Sequence, residues 1–180
     1  MKDELRIQLK KLRSAFGGPD RRDADGKIFE IFMNEFGGAD SFFIYNSFAS
    51  EADTKRIISA LVSSGKSVYL PRVDGKFMSA VPYGNLKKGA FGIGEPTGQA
   101  FNGDVDVTVI PLLGINGKGY RIGYGGGYYD RYLKNAHTRR VGLGYSFQTV
   151  SFDEDGWDIP LDSFVCEKGI YRYETAKNRH

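Results

Sequence analysis

The sequence predicts an α/β domain built as one three-layer, doubly wound, mainly parallel sheet with helices on both faces. Three observations carry this. Short apolar runs of strand length alternate with amphipathic stretches of helix length along the 180 residues. No linker or internal repeat divides the chain, so residues 1–180 read as a single domain, with only the last few residues expected to be disordered. A glycine-rich segment falls late, between a strand and a helix, where open α/β sheets gather ligands.

The elements follow in order. Over residues 2–16, Leu5, Leu9, Leu12 and Phe16 recur at spacings of four and three and form one apolar stripe. Lys2, Arg6, Lys10 and Arg13 form a cationic stripe beside it. That stripe is either the solvated flank of the helix or an edge turned towards phosphates. Gly17-Gly18-Pro19 ends this helix, and Asp20 is expected to cap a second one that runs to about Phe36. After Gly37-Gly38, Ser41 to Ser47 is an apolar run suited to a buried strand. A helix over about Asp53–Ser64 follows, with Ile57, Ile58 and Leu61 inward. Further strands are expected at Ser67–Leu70, Phe77–Val81, Val105–Ile110 and Val141–Tyr145 and within Phe164–Tyr173, and a short helix at Tyr128–Leu133. Pro82 to Gly103, rich in Gly, Lys and Pro, reads as an excursion over the sheet edge.

Composition removes several classes. Hydrophobic residues at 41% and charged residues at 26% argue against a disordered chain. Cys166 is the single cysteine, so neither an internal disulfide nor a multi-cysteine zinc site is available, and it fits a buried strand position. No apolar run approaches the ~20 residues of a membrane span. The charged opening Met-Lys-Asp-Glu-Leu holds no signal-peptide core, so a cytoplasmic location is expected. The net charge of +3 is spread along the chain, which suits an anionic small molecule at least as well as nucleic acid; an RNA-associated module, suggested by the basic helix and the tyrosines, is disfavoured by this dispersal.

Gly123 to Asp130 reads Gly-Tyr-Gly-Gly-Gly-Tyr-Tyr-Asp. Three consecutive glycines lose the most backbone freedom on folding, so something has to approach the main chain there. Bare peptide N–H groups beside a helix start suit a phosphate. Arg121 offers a forked charge and Asp130 a hard oxygen for a metal. The segment fits neither the Walker A loop nor the dinucleotide fingerprint, which belongs on a first strand. A sugar-phosphate isomerase would account for the phosphate loop but not for a pair of metal carboxylates.

From Arg121 to Arg131 the chain resembles the signature of the 5-formyltetrahydrofolate cyclo-ligases, also called methenyltetrahydrofolate synthetases, with Ile122 a conservative variation. The likeness runs through nearly the whole chain in order. It includes Lys2-x-x-Leu5-Arg6 with Arg13, and Tyr45 to Thr54 with Glu51 and Asp53-Thr54. Leu70-Pro71-Arg72-Val73, Phe91 to Pro96, Asp106 to Gly114 and Asp158-Ile-Pro-Leu-Asp162 continue it. Three departures stand out: Ile115-Asn116 for a common Phe-Asp, Trp157 for a usual His, and Cys166 for a frequent Thr.

The resemblance implies cyclisation of 5-formyltetrahydrofolate to 5,10-methenyltetrahydrofolate with ATP and Mg2+, releasing ADP and phosphate. No protein nucleophile is needed, only positioning and charge neutralisation. It implies that Ile122, Gly123, Tyr124, Gly125, Gly126, Gly127, Tyr128 and Tyr129 wrap the nucleotide, with Arg121, Lys2 and Arg6 as cationic partners. Arg121, Tyr128 and Lys2 are the expected catalytic residues, and Asp130 and Asp158 the magnesium ligands. Asn46, Glu51, Phe91, Tyr124 and Tyr128 are the expected folate contacts. Plainer readings stand beside these: Asp130 as a first-turn helix carboxylate, Glu51 as a helix N-terminal acid, Asp162 and Arg72 as structural pairs. ATP and the formylfolate are the expected partners of a monomer, without nucleic acid or membrane. The alternative, motivated by Trp157 and Asn116, is a folate-binding paralogue without turnover.

Overall fold

Phe42, Ile44, Val68, Leu70, Val107, Val109, Val141, Leu143 and Val165 turn to one face of a sheet, and Phe43, Tyr69, Ile110, Phe164 and Cys166 to the other. This period-two alternation with apolar residues on both sides is what a strand covered on two faces requires. The computed structural model describes residues 1–89 and 92–174. Phe91 and the expected disorder of the last few residues lie outside them.

The strands are β1 (Ser41–Ile44), β2 (Ser67–Asp74), β3 (Phe77–Pro82), β4 (Leu86–Lys88), β5 (Gly94–Pro96) and β6 (Val107–Pro111). β7 (Gly114–Ile115), β8 (Arg121–Ile122), β9 (Arg139–Leu143), β10 (Ser163–Cys166) and β11 (Gly169–Arg172) complete the set. Seven of them form one sheet in the order β11-β10-β9-β6-β1-β2-β3. The five inner strands pair in parallel, and β3 and β11 close the edges as antiparallel partners. The expected mainly parallel α/β sheet is therefore present. The segment read as an edge excursion contains the separate β4–β5 ribbon, and Phe164–Tyr173 is a hairpin that turns at Glu167 and Lys168.

The helices are α1 (Lys2–Ala15), α2 (Gly18–Phe36), α3 (Lys55–Ser63) and α4 (Tyr128–Leu133). α2 lays Ala24, Ile28, Phe32 and Phe36 on the first face, beside Ile57, Ile58 and Leu61 of α3. Each such fully buried aliphatic or aromatic side chain contributes roughly 1.5–3 kcal/mol. The second face is thinner: Leu133, Tyr129 and Tyr132 of α4 cover it together with Ile159 and Leu161. α2 starts earlier than expected, because Pro19 fits the first helical turn, and Asp20 lies inside that turn rather than capping it. α1 lies on neither face. Its Leu5 and Leu9 pack on Leu113, Ile122 and Phe152, against the β7–β8 hairpin that follows β6.

Candidate active site

β1 and β6 are parallel neighbours, so the segments leaving their carboxyl ends meet. After β1 the chain makes a tight loop. The Thr54 hydroxyl donates to Tyr45 O at 2.7 Å, and the Tyr45 hydroxyl donates to Ala52 O at 2.8 Å. Within the loop, Phe48 N–H donates to Glu51 Oε1 at 2.8 Å, while Ala49 is held left-handed at φ 51°. From α2, Arg21 Nη2 donates to Glu51 O at 2.9 Å and to Ala49 O at 3.1 Å. Glu51 is thereby fixed with its carboxylate buried.

After β6 the chain runs through the β7–β8 hairpin into the glycine loop and α4. The Tyr124 hydroxyl turns inward and donates to Glu51 Oε2 at 3.0 Å, while the ring edge stays open to solvent. Arg13 of α1 meets both segments. Its Nη2 donates to the Tyr124 hydroxyl at 2.7 Å, its Nη1 to Leu112 O at 3.1 Å and its Nε to Ser50 Oγ at 3.0 Å. Burial pushes the Glu51 carboxyl above its ordinary value. The Phe48 N–H, the Tyr124 hydroxyl, Arg13 and Lys55 all pull it back towards the ionised form. Burial first, and then the charge of Glu51, hold the Tyr124 phenol well above its usual range.

The glycine loop depends on missing side chains. Gly125 and Gly127 take φ of +97° and +68°, in the left-handed region that favours glycine. A methyl group on Gly126 would lie 2.7 Å from the Tyr128 ring. Arg6 Nε donates to Gly123 O at 3.0 Å and Arg131 Nη2 to Gly126 O at 2.8 Å, so arginines occupy two carbonyls of the loop. Arg121, on β8, pairs with Asp130 at 3.2 Å and donates to Ile159 O, whose own N–H donates to Asp130 Oδ1. Lys2 Nζ meets Asp155 at 2.6 Å and Asp158 at 2.9 Å. Burial works against the Lys2 ammonium, yet these two carboxylates hold its pKa above the ordinary lysine value.

A protein-family model described as the 5-formyltetrahydrofolate cyclo-ligase family matches residues 1–167. The chain belongs to that family. The Haemophilus influenzae 5-formyltetrahydrofolate cyclo-ligase is 31% identical over 176 residues, covering 89% of this chain and 94% of that one. Among solved structures, the Aquifex aeolicus 5,10-methenyltetrahydrofolate synthetase aligns with a TM-score of 0.86 at 32% identity over 99% of both chains. The Mycoplasma pneumoniae 5,10-methenyltetrahydrofolate synthetase aligns at 0.76 and 25% identity, over 92% of this chain and 98% of that one.

In this cyclo-ligase-family chain the expected site residues divide in three. Arg6 bonds to Gly123 O of the glycine loop, Tyr124 of that loop bonds to the buried Glu51, and Arg121 and Lys2 are held by Asp130 and Asp158. Ile122 and Tyr129 flank the loop with their side chains turned to the core. Ile122 is buried against α1, and the Tyr129 ring stacks on Phe43 at 6.4 Å in the second-face core. Tyr128 turns its hydroxyl to Gly75 O at 3.1 Å, under Arg131, and Asn46 Nδ2 reaches Gly94 O at 3.5 Å. Asp130 is paired with Arg121 and Asp158 with Lys2, and Asp130 also accepts from the N–H of Ile159, the residue after Asp158. Among the described residues no three His, Cys, Asp or Glu side chains group as a metal cage.

Of the family departures, Asn116 and Cys166 fall on structural positions, while Trp157 stands on the surface beside Asp158. Asn116 Oδ1 accepts from the Lys118 and Tyr120 N–H groups and its Nδ2 donates to Phe152 O, so it builds the β7–β8 turn. Cys166 is buried in β10, and Trp157 is 75% exposed. Arg72 pairs with Asp74 and Asp162 with Arg140. Sequence reasoning assigned Arg13 no role beyond its stripe, and gave none to Asp155 or Arg21. For Arg13 a signal existed, since it lies seven residues after Arg6 on the same cationic edge.

Proposed function

We propose that the chain closes 5-formyltetrahydrofolate to 5,10-methenyltetrahydrofolate at the expense of ATP. The observation that supports this reading is the Tyr124–Glu51 hydrogen bond of 3.0 Å, which joins the glycine loop to the β1–α3 segment in one surface. A phosphate cradle and a buried carboxylate thus adjoin, as a reaction between a nucleotide and a folate demands. The formyl oxygen attacks the γ-phosphorus while the bond to the β-phosphate oxygen breaks and ADP leaves. N10 then adds to the activated carbon and loses its proton, and the C–O bond breaks to release phosphate.

In this reading Arg121, oriented by Asp130 and Ile159 O, faces the transferring oxygens, and the exposed Gly125–Gly126 backbone lets them approach. Glu51 takes hydrogen bonds from the donors of the folate ring system, Tyr124 and Tyr128 wall both ligands, and Asn46 borders the folate side. Lys2 reaches the nucleotide by exchanging Asp155 and Asp158 for phosphate oxygens. Magnesium enters as MgATP, since this ion keeps waters and phosphate ligands and needs few protein oxygens. No ligand role is assigned to Asp130 or Asp158. The site is proposed to work in a cytoplasmic monomer on these small molecules, without nucleic acid or membrane. No helix among the described residues is long and apolar enough to cross a membrane.

The test is a direct absorbance assay for the methenyl chromophore. The signal is expected only when ATP, magnesium and 5-formyltetrahydrofolate are all present, and its absence with all three overturns the reading. Run alongside, Asp130→Asn is expected to slow turnover by releasing Arg121. An unchanged rate removes the Asp130–Arg121 pair from the mechanism.

A further inference from the structure

Arg13 stands where three segments of the site meet, and its chemistry restricts what its neighbours can do. A guanidinium carries five donors and no acceptor. The 2.7 Å contact between Arg13 Nη2 and the Tyr124 hydroxyl therefore runs in one direction only, from arginine to oxygen. The hydroxyl's own proton then lies on its other contact, the 3.0 Å approach to Glu51 Oε2. Glu51 Oε1 already accepts from Phe48 N–H at 2.8 Å. Both carboxylate oxygens thus face donors.

We propose that Arg13 is a positioning residue that acts through the Tyr124 hydroxyl to keep Glu51 an ionised acceptor facing the folate site. The proposal rests on the reading of Glu51 as a folate contact. A carboxylate in that state offers its remaining lone pairs to N–H donors of a pterin-like ring. A carboxylic acid in the same place would present a proton instead and repel one of them. The guanidinium is fixed for this task by Leu112 O and Ser50 Oγ, from the ends of β6 and β1.

Other groups face Glu51 from every side. Lys55 of α3 adds positive charge, and burial raises its carboxyl. Tyr45 after β1 and Tyr129 of α4 are buried phenols within its field. Arg21 of α2 holds its main-chain carbonyl. None of these fixes the direction of the Tyr124 hydroxyl. Arg13 does. Without it the hydroxyl is free to rotate and accept a hydrogen bond from a protonated Glu51, so protonation of Glu51 becomes easier.

The experiment follows the Glu51 carboxyl by carbon-13 NMR in glutamate-labelled full-length protein, with the resonance assigned from Glu51→Gln. It is paired with the pH profile of kcat/KM for 5-formyltetrahydrofolate. In Arg13→Met the Glu51 titration and the acid limb of the profile are both expected to move up together, by roughly one pH unit or more. Arg13→Lys, which keeps a donor-only cation but loses the fork, is expected to recover part of that shift. Tyr124→Phe breaks the chain at its middle and is expected to shift the same titration upwards even if Arg13→Met does not fold. An unmoved Glu51 titration in folded Arg13→Met or Tyr124→Phe overturns the proposal. A merely structural role would lower thermal stability and leave the titration in place. Should the wild type make no methenyl product, the functional reading fails while the NMR titration still judges Arg13.

Discussion

Gly126 has no room for a methyl group. Its Cβ would lie 2.7 and 2.8 Å from ring atoms of Tyr128, whose hydroxyl is anchored on Gly75 O. Gly126→Ala is therefore expected to displace the Tyr128 ring and raise KM for ATP several-fold, which initial-rate kinetics will show, while far-UV circular dichroism stays unchanged. Gly127→Ala meets a different obstacle, a left-handed φ of +68°, and is expected to cost about 1–2 kcal/mol in chemical denaturation. Arg121 carries charge rather than shape. Arg121→Met is expected to lower kcat by about 10²–10³, the usual loss when one electrostatic partner of the transition state goes. At this scale the unusual backbone of the glycine loop was legible, because consecutive glycines leave few explanations other than conformations such as the left-handed φ of Gly125 and Gly127. The partners of Asp130 and Asp158 were not. A carboxylate beside a phosphate loop has the same sequence whether it waits for a metal or already holds Arg121 or Lys2. For Arg13 the place on the cationic edge was legible and the partners were not, as Ser50, Leu112 and Tyr124 lie 37, 99 and 111 residues away.

α1 brings Lys2, Arg6 and Arg13 to the site, yet it is docked mainly through Leu5 and Leu9. Leu9→Ala removes a buried side chain from the hairpin contact and is expected to cost about 2–5 kcal/mol in urea denaturation. Because three cations ride on the same helix, turnover is expected to fall with it, beyond what loss of folded protein explains. The amphipathic stripe made α1 readable as a helix. It did not show where the helix stops being covered, and Leu12, expected inward, is 54% exposed. The β7–β8 hairpin escaped notice because strands of two residues are too short to display any alternation. What holds that hairpin is its neighbours: Leu9 against Gly114 and Asn116 bonded to Phe152 O.

The fold class was legible in the whole chain, since burial on two faces leaves a plain apolar signature in each inner strand. The strand order was not, because which apolar runs become neighbours depends on helix packing rather than on the runs themselves. The folded molecule also carries a pH signature. Burial raises the pKa of Glu51 and of Asp25, so the folded state binds their protons more tightly than the unfolded chain does. Their contribution to stability is full below their ordinary values of 4.5 and 3.8 and is lost as pH rises through the higher folded values. Asp106, lowered mainly by the Asp40 N–H, runs the other way and loses its contribution as pH falls below 3.8. Denaturation curves of wild type and Glu51→Gln between pH 4 and 8 check this. The wild type is expected to lose stability relative to the variant as pH rises, and parallel curves would contradict it. Lys2 is joined to Asp155 and Asp158 across 153 and 156 residues of chain. At 5–20 residues per second a ribosome needs roughly 8–30 s between making the two partners. The surface that α1 packs on, Leu113, Ile122 and Phe152, is also made late in that interval. The first helix of the chain is therefore among the last to be locked in place, once the segment carrying Asp155 and Asp158 has been made.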